Sequence, residues 1–237
     1  MRADPATRAA PGPGSAGGQA SGRRTGTPHR RTGAPGQAAV RTWTRQPVAA
    51  RAAKRTVDLL AAAILLAICL PVLFAACLAI VAETPGSPLY LQWRSGLGGR
   101  PFRIIKLRTM LAGADRMGPA LTQDRDPRIT RVGSLLRRWS LDELPQLLNV
   151  LVGQMSMVGP RPELVPIVAS YAPRQRQVLQ ARPGLTGWAQ VNGRDDLSIP
   201  DKLELDLDYV AHRTLRWDLA IMARTVRVIA SGQGTKR

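Results

Sequence analysis

Hydrophobic positions are unevenly spread along the 237 residues of the chain. From Leu59 to Ala82, twenty-four consecutive residues carry no charged or polar side chain, which meets the length a membrane-embedded helix requires. Pro71 stands near the middle of this run, where a proline removes a helical hydrogen bond and crowds the preceding turn. The pattern therefore predicts either a kinked spanning helix or a helix that bends at Leu70-Pro71 and returns to the same side. Downstream, Tyr90 to Met110 reads as a hairpin around Gly96-Leu97-Gly98-Gly99, with Pro101 to Lys106 alternating as a strand does. Helical spacing follows. Leu144, Leu147, Leu148 and Leu151 form one apolar stripe over residues 143–152. Residues 213–230 interleave Leu215, Trp217, Leu219, Ile221, Met222, Val226 and Ile229 with Arg213, Arg216, Arg224 and Arg227, ahead of Gly232. This last helix suits a membrane surface or ordinary packing on a core.

Residues 1–47 break these patterns. They hold eight Gly and six Pro and almost no large apolar side chain, too little to offset chain entropy by burial, so the segment reads as disordered. Charge sharpens the picture: the chain carries 34 Lys+Arg against 16 Asp+Glu, a net +18. Residues 1–56 hold eleven basic residues and one acid. An anionic membrane surface is the expected partner of this basic tail, in preference to nucleic acid. Both flanks of the apolar run are basic: Arg51, Lys54 and Arg55 before it, Arg94, Arg100, Arg103, Lys106 and Arg108 after it. Positive flanks mark the cytoplasmic side, so two such flanks favour the re-entrant path. Asp58, just inside the boundary, needs a cation, and Lys54 or Arg55 is within reach.

Composition removes several chemistries. Cys69 and Cys77 lie inside the apolar run as two small hydrophobes, His29 is in the tail, and His212 is the other imidazole. A disulfide framework, a Cys/His zinc site and a Ser-His-Asp or Cys-His centre are poorly supported. Carboxylates and many guanidinium groups remain, and Arg binds phosphate oxygens bidentately. The densest cluster runs from Thr130 to Gln146 and contains Ser140-Leu141-Asp142-Glu143-Leu144-Pro145-Gln146. Asp142 and Glu143 open a helix, whose positive end favours ionised carboxylates, as a nucleophile or a Mg²⁺ ligand requires. The competing reading is structural, because Ser140 and Glu143 have capping-box spacing. Gly159-Pro160-Arg161-Pro162 holds an Arg between two rigid residues, and Pro183 to Arg194 places glycines around an aromatic.

From about Lys54 to the C-terminus, the chain resembles the bacterial sugar transferases, small monotopic phosphoglycosyl transferases that begin polyprenol-linked glycan assembly. The resemblance rests on ordered motifs: Lys54-Arg55 with Asp58, Pro71, Pro101-Phe102 with Lys106-Leu107-Arg108-Thr109-Met110, Ser140 to Gln146, Met157 to Pro162, and Gly187 to Arg194. Leu107 stands where the family usually has Phe, and Leu70 where some members have Ser. The resemblance implies transfer of sugar 1-phosphate from a UDP-sugar to undecaprenyl phosphate with release of UMP. It makes Asp142 the nucleophile that forms an aspartyl-phosphosugar and Glu143 the residue serving Mg²⁺, with Asp142 beside it as a further metal contact. Lys106, Arg137 and Arg161 would bind substrate phosphate, and Arg108, Pro160, Pro162 and Arg194 would support the nucleotide and its loops.

The expected architecture is mainly helical α+β, with a re-entrant membrane helix broken at Pro71, a small hairpin and amphipathic interfacial helices. Its segments are a basic tail (1–50), the membrane helix (51–83) and a catalytic domain (84–237) at the cytoplasmic face of the bacterial inner membrane. The expected partners are a UDP-sugar, a polyprenyl phosphate, membrane lipids and the glycosyltransferases that extend the product, with no nucleic acid. Two other readings stay open at this point: a basic membrane-anchored scaffold acting through charge alone, and an inactive homologue kept for partner binding.

Overall fold

A computed structural model describes residues 47–119, 122–123, 126–193 and 196–231. The basic tail up to residue 46 and Arg194 lie outside these described residues. The apolar run forms helix α1, Val48–Glu83. Lys54, Asp58, Ala62, Leu73, Ala76 and Ile80 are buried along it, at intervals that keep to one helical face. The other face presents Leu60, Ile64, Ile68, Leu70, Phe74 and Leu78 to the outside. So large an exposed apolar stripe is unfavourable in water and suits lipid. The helix is long and apolar enough to cross a membrane. Pro71 sits inside it, and the helix continues through that position. The proline therefore costs a backbone bond to the preceding turn rather than ending the helix.

The hairpin forms as its alternation predicts. Strand β1 (Leu89–Ser95) pairs antiparallel with β2 (Pro101–Leu107), with Tyr90 opposite Lys106 and Gln92 opposite Ile104. Gly98 and Gly99 turn the chain at φ of 64° and 78°, a backbone region that favours glycine. Helix α2 (Arg131–Arg138) and the six-residue α3 (Gln146–Leu151) follow. The predicted leucine stripe divides there: Leu147 is buried and Leu148 is exposed, because Asn149 and Val150 take the inward positions. Strand β3 (Ser156–Val158) runs parallel to β4 (Gly184–Thr186), with the short helix α4 (Val165–Ala169) between them. Helices α5 (Trp188–Val191), α6 (Ile199–His212) and α7 (Leu215–Ser231) complete the fold. The core gathers Ala62, Phe102, Ile104, Leu147, Val150, Met155, Tyr209, Val210 and Ile221. Trp217 meets Trp188 edge-on at 5.1 Å. Leu219 and Val226 of α7 remain exposed, so that helix both packs on the core and keeps an outward apolar edge.

Both ends of α1 are fastened to this one folded unit. At the N-terminal end, buried Lys54 lies 2.8 Å from Asp58 and 3.0 Å from Asp218, the pairing the sequence required of Asp58. The Asp58 carboxylate also accepts the Ser156 hydroxyl and the Met157 N–H, and the Tyr209 hydroxyl donates to Asp218 at 2.7 Å. Arg55 donates to the carbonyls of Val150 and Leu151 at the end of α3, where helix carbonyls run out of intrahelical partners. At the other end, Arg108 donates to Thr84 O and Pro85 O at 2.7 and 2.8 Å. Glu83 accepts the N–H groups of Arg131 and Val132 at the start of α2. Ile80, Ala76 and Leu73 pack with Leu107 and Leu136. The helix is thus held at two places about 25 residues apart, roughly 38 Å if straight.

Candidate active site

The acid pair sits on a tight turn rather than in a capped helix. Ser140 has φ 55°, the one non-glycine residue with positive φ among the described residues. That conformation costs on the order of 1–3 kcal/mol for a residue with a Cβ. It swings the chain into the turn Leu141–Glu143, and the helical backbone then runs through Leu144 and Pro145 into α3. The Ser140 side chain makes no cap hydrogen bond, so the capping box suggested by its spacing to Glu143 does not form. Glu143 turns instead to two cations. Lys106 Nζ on β2 lies 2.9 Å from Glu143 Oε1, and Arg161 Nη2 lies 2.8 Å from the same oxygen.

This arrangement fixes the charges. Burial pushes the Glu143 carboxyl upward, but Arg161 and Lys106 outweigh it and hold Glu143 far below the usual carboxylate range. Asp142 goes the other way. Burial and the neighbouring Glu143 charge raise it, against the pull of Lys106, Arg137 and Arg161. The helix end predicted to hold both acids ionised gives way to side-chain partners: two cations hold Glu143 ionised, while Asp142 is shifted upward. Adjacent acids crowd each other's charge, and a cationic partner is what relieves the crowding. Arg137 approaches from α2, its Nε donating to Thr109 Oγ1 at 2.9 Å and Nη1 reaching Thr122 Oγ1 at 3.4 Å.

Arg161 is presented by a loop that is fixed on both sides. The prolines at 160 and 162 restrict φ, Pro160 O accepts the Gly184 N–H at 2.9 Å, and Pro162 O accepts Arg94 Nη1 at 3.1 Å. Beside it an open cleft is lined by Ser95, Arg161, Glu163, Tyr171 and Leu179. The guanidinium side chain is 38% exposed, so it pairs with Glu143 and still faces incoming ligand. Lys106, Arg137, Arg161, Asp142 and Glu143 are thus one site, with Pro160 and Pro162 as its rigid flank. Arg108 was expected to support the nucleotide; its guanidinium is instead used at the end of α1.

Two residues of the site's scaffold escaped the sequence reading. Asn149, 1% exposed, accepts the Ile105 N–H and donates to Arg103 O. Its carboxamide acts as a one-residue third strand on the free edge of β2 and fixes the segment that carries Lys106. Asp206 on α6 accepts the Arg161 N–H at 3.3 Å. A carboxylate among Leu203, Leu207 and Val210 at helical spacing was the available signal for it.

The chain is similar to known proteins over most of its length. The family model described as "Bacterial sugar transferase" matches residues 49–232. A UDP-glucose:undecaprenyl-phosphate glucose-1-phosphate transferase of Caulobacter vibrioides is 48% identical over 181 residues, 73% of this chain and 68% of that protein. An uncharacterized sugar transferase, EpsL, of Bacillus subtilis is 43% identical over 78% of this chain and 90% of its own length. A UDP-N-acetylgalactosamine-undecaprenyl-phosphate N-acetylgalactosaminephosphotransferase of Aeromonas hydrophila is 40% identical over 77% of this chain but 45% of its own. With an acid pair faced by three cations, beside a long apolar helix, the chain belongs to the bacterial sugar transferase family and is a transferase.

Proposed function

We propose that the chain transfers sugar 1-phosphate from a UDP-sugar to undecaprenyl phosphate, releasing UMP, as a first step of exopolysaccharide or related glycan assembly. The observation that carries this reading is the Lys106–Glu143–Arg161 arrangement beside Asp142, set close to a helix whose free face is apolar. In the first half, an Asp142 carboxylate oxygen attacks the phosphorus bonded to the sugar oxygen. The bond from that phosphorus to the bridging oxygen breaks, and UMP leaves with the electron pair. In the second half, a phosphate oxygen of undecaprenyl phosphate attacks the same phosphorus and returns Asp142 as a carboxylate. Splitting the transfer lets a water-soluble donor and a lipid acceptor use one site in turn. Lys106, Arg137 and Arg161 offset the phosphoryl charge as it redistributes.

Magnesium fits the donor set. The pair supplies two carboxylates, and among the described residues no group of three or more His, Cys, Asp or Glu gathers. Mg²⁺ commonly keeps several waters and is held by one or two carboxylates together with substrate phosphates. Glu143 and Asp142 would hold it, and it would supply charge neutralisation at the phosphates.

Both ends of α1 meet the same domain through Lys54–Asp218 and Arg108–Thr84, and the helix continues through Pro71; the course we propose keeps both ends at one membrane surface, so that the polar domain stays out of the hydrocarbon. The site then lies at the cytoplasmic surface of the inner membrane, where the lipid phosphate arrives and from which extending glycosyltransferases collect the product. The test is UMP release by the membrane-bound protein across a panel of UDP-sugars, with and without undecaprenyl phosphate and Mg²⁺. Sustained release that needs an accepted sugar, lipid and Mg²⁺ is expected; chelation with EDTA stops it. Release that ignores the lipid acceptor contradicts the reading.

A further inference from the structure

Arg161 is held at two ends by two different acids. Its guanidinium meets Glu143, while its backbone N–H meets Asp206 Oδ2 at 3.3 Å. Pro160 and Pro162 have no N–H, so the Arg161 amide is the one backbone donor of the segment 160–162. Asp206 is 6% exposed, and its second oxygen, Oδ1, is buried with no hydrogen-bond partner. A charged carboxylate in that position is expensive. The groups around it do not lower that cost much. Arg161 contributes its amide and a guanidinium turned to Glu143, while Glu163 on the same loop adds like charge. Tyr171, after α4, also faces it as a neutral phenol. Lys202 lies one turn back on the same helix.

We propose that Asp206 is a positioning residue for the transfer: by holding the Arg161 backbone, it aims the guanidinium at the phosphate-binding site. This rests on the proposed reaction, in which Arg161 engages substrate phosphate. The neutral acid performs the task. Burial, with Glu163 adding to it, pushes Asp206 up to about 8, against the Arg161 amide. Below that pH the uncharged carboxyl accepts the Arg161 N–H without burying a charge. Above it the N–H still donates, but a full charge stands buried beside Glu163 with Oδ1 unpaired, and that cost loosens the segment that carries Arg161.

The experiment uses the full chain in detergent and compares wild type, Asp206→Asn and Asp206→Ala. UMP release is measured from pH 6 to 10 with thermal melting alongside. Wild-type activity should fall on the alkaline side with a midpoint near 8. Asp206→Asn, which keeps an oxygen acceptor without titrating, should stay within about twofold of wild type at pH 7 and lose that alkaline fall. Asp206→Ala should lose about tenfold, mainly as a raised KM for the UDP-sugar. The melting advantage of Asp206→Asn over wild type should be absent near pH 4 and widen steadily up to pH 8. An alkaline limb unchanged in Asp206→Asn, or an Asp206→Ala protein that matches wild type, overturns the positioning role. A flat melting difference overturns the neutral carboxyl whether or not turnover is seen. A folded wild type that releases no UMP from any donor overturns the reaction itself, and the positioning role with it.

Discussion

Two acids that share one arginine end in opposite states. Glu143 and Asp206 are both drawn out of water, so burial alone does not distinguish them. Glu143 meets the Arg161 guanidinium and the Lys106 ammonium and stays ionised. Asp206 meets the Arg161 amide and the nearby Glu163 charge, and is pushed up to about 8. The lesson is that two full cations hold a buried carboxylate charged, whereas one peptide dipole does not. Asp142 lies between these cases: Lys106 and Arg161 are near it but directed at Glu143, and Arg137 at Thr109 and Thr122.

At the base of α1 one buried cation, Lys54, serves two acids. Lys54→Met leaves Asp58 and Asp218 without it, and breaking such a buried pair costs about 3–5 kcal/mol. Melting in detergent should drop by about 10 °C or more; an unchanged melting point would show that the Ser156, Met157 and Tyr209 hydrogen bonds suffice. Next in size is Glu143→Gln, which removes the charge both cations face. UMP release should fall about 10²–10³-fold with the protein still folded, and near-normal turnover would remove Glu143 from the chemistry.

A smaller effect separates the two acids by pH. Folded Asp206 keeps its proton above the unfolded value of about 3.9, so its contribution to stability declines as pH rises from there to about 8. Folded Glu143 is depressed, so its contribution is present above about 4.3 and lost as pH falls below that. Melting against pH should therefore decline on both sides. Asp206→Asn should flatten the upper arm and Glu143→Gln the lower; the reverse assignment would undo the comparison. The smallest effect belongs to an exposed pair. Arg174 and Glu204 meet at 2.5–2.7 Å, yet Arg174→Ala should leave the melting point essentially unchanged, because solvent screens the pair.

What was legible in the sequence follows from the range of the interactions. The hairpin, the need of Asp58 for a cation from Lys54 or Arg55, and the apolar helix were readable because alternation, near neighbours and run length are local properties; the structure selects Lys54. The acid pair was visible as adjacent residues, and its grouping with Lys106 and Arg161 followed from the family's motifs. The capping box offered as the competing reading of Ser140 does not form, since the same residue type serves an N-cap or a left-handed turn and neighbours alone do not decide which. Leu148 was misassigned because α3 gives its inward positions to Asn149 and Val150. Arg108 looked like phosphate equipment, but its partners lie 23 and 24 residues earlier on the chain. Asp206 depends on a contact 45 residues away, beyond any local pattern.

The most direct test of the account is the mass of the protein itself. The full chain, incubated with Mg²⁺ and a UDP-sugar it accepts but no lipid acceptor, is quenched and its peptides weighed. The account predicts one UMP released per protein and one sugar-phosphate added to the peptide containing Asp142, with neither seen in Asp142→Asn. Turnover that begins only when lipid is added, with no adduct and no initial UMP, would contradict it and point to direct transfer between the two substrates.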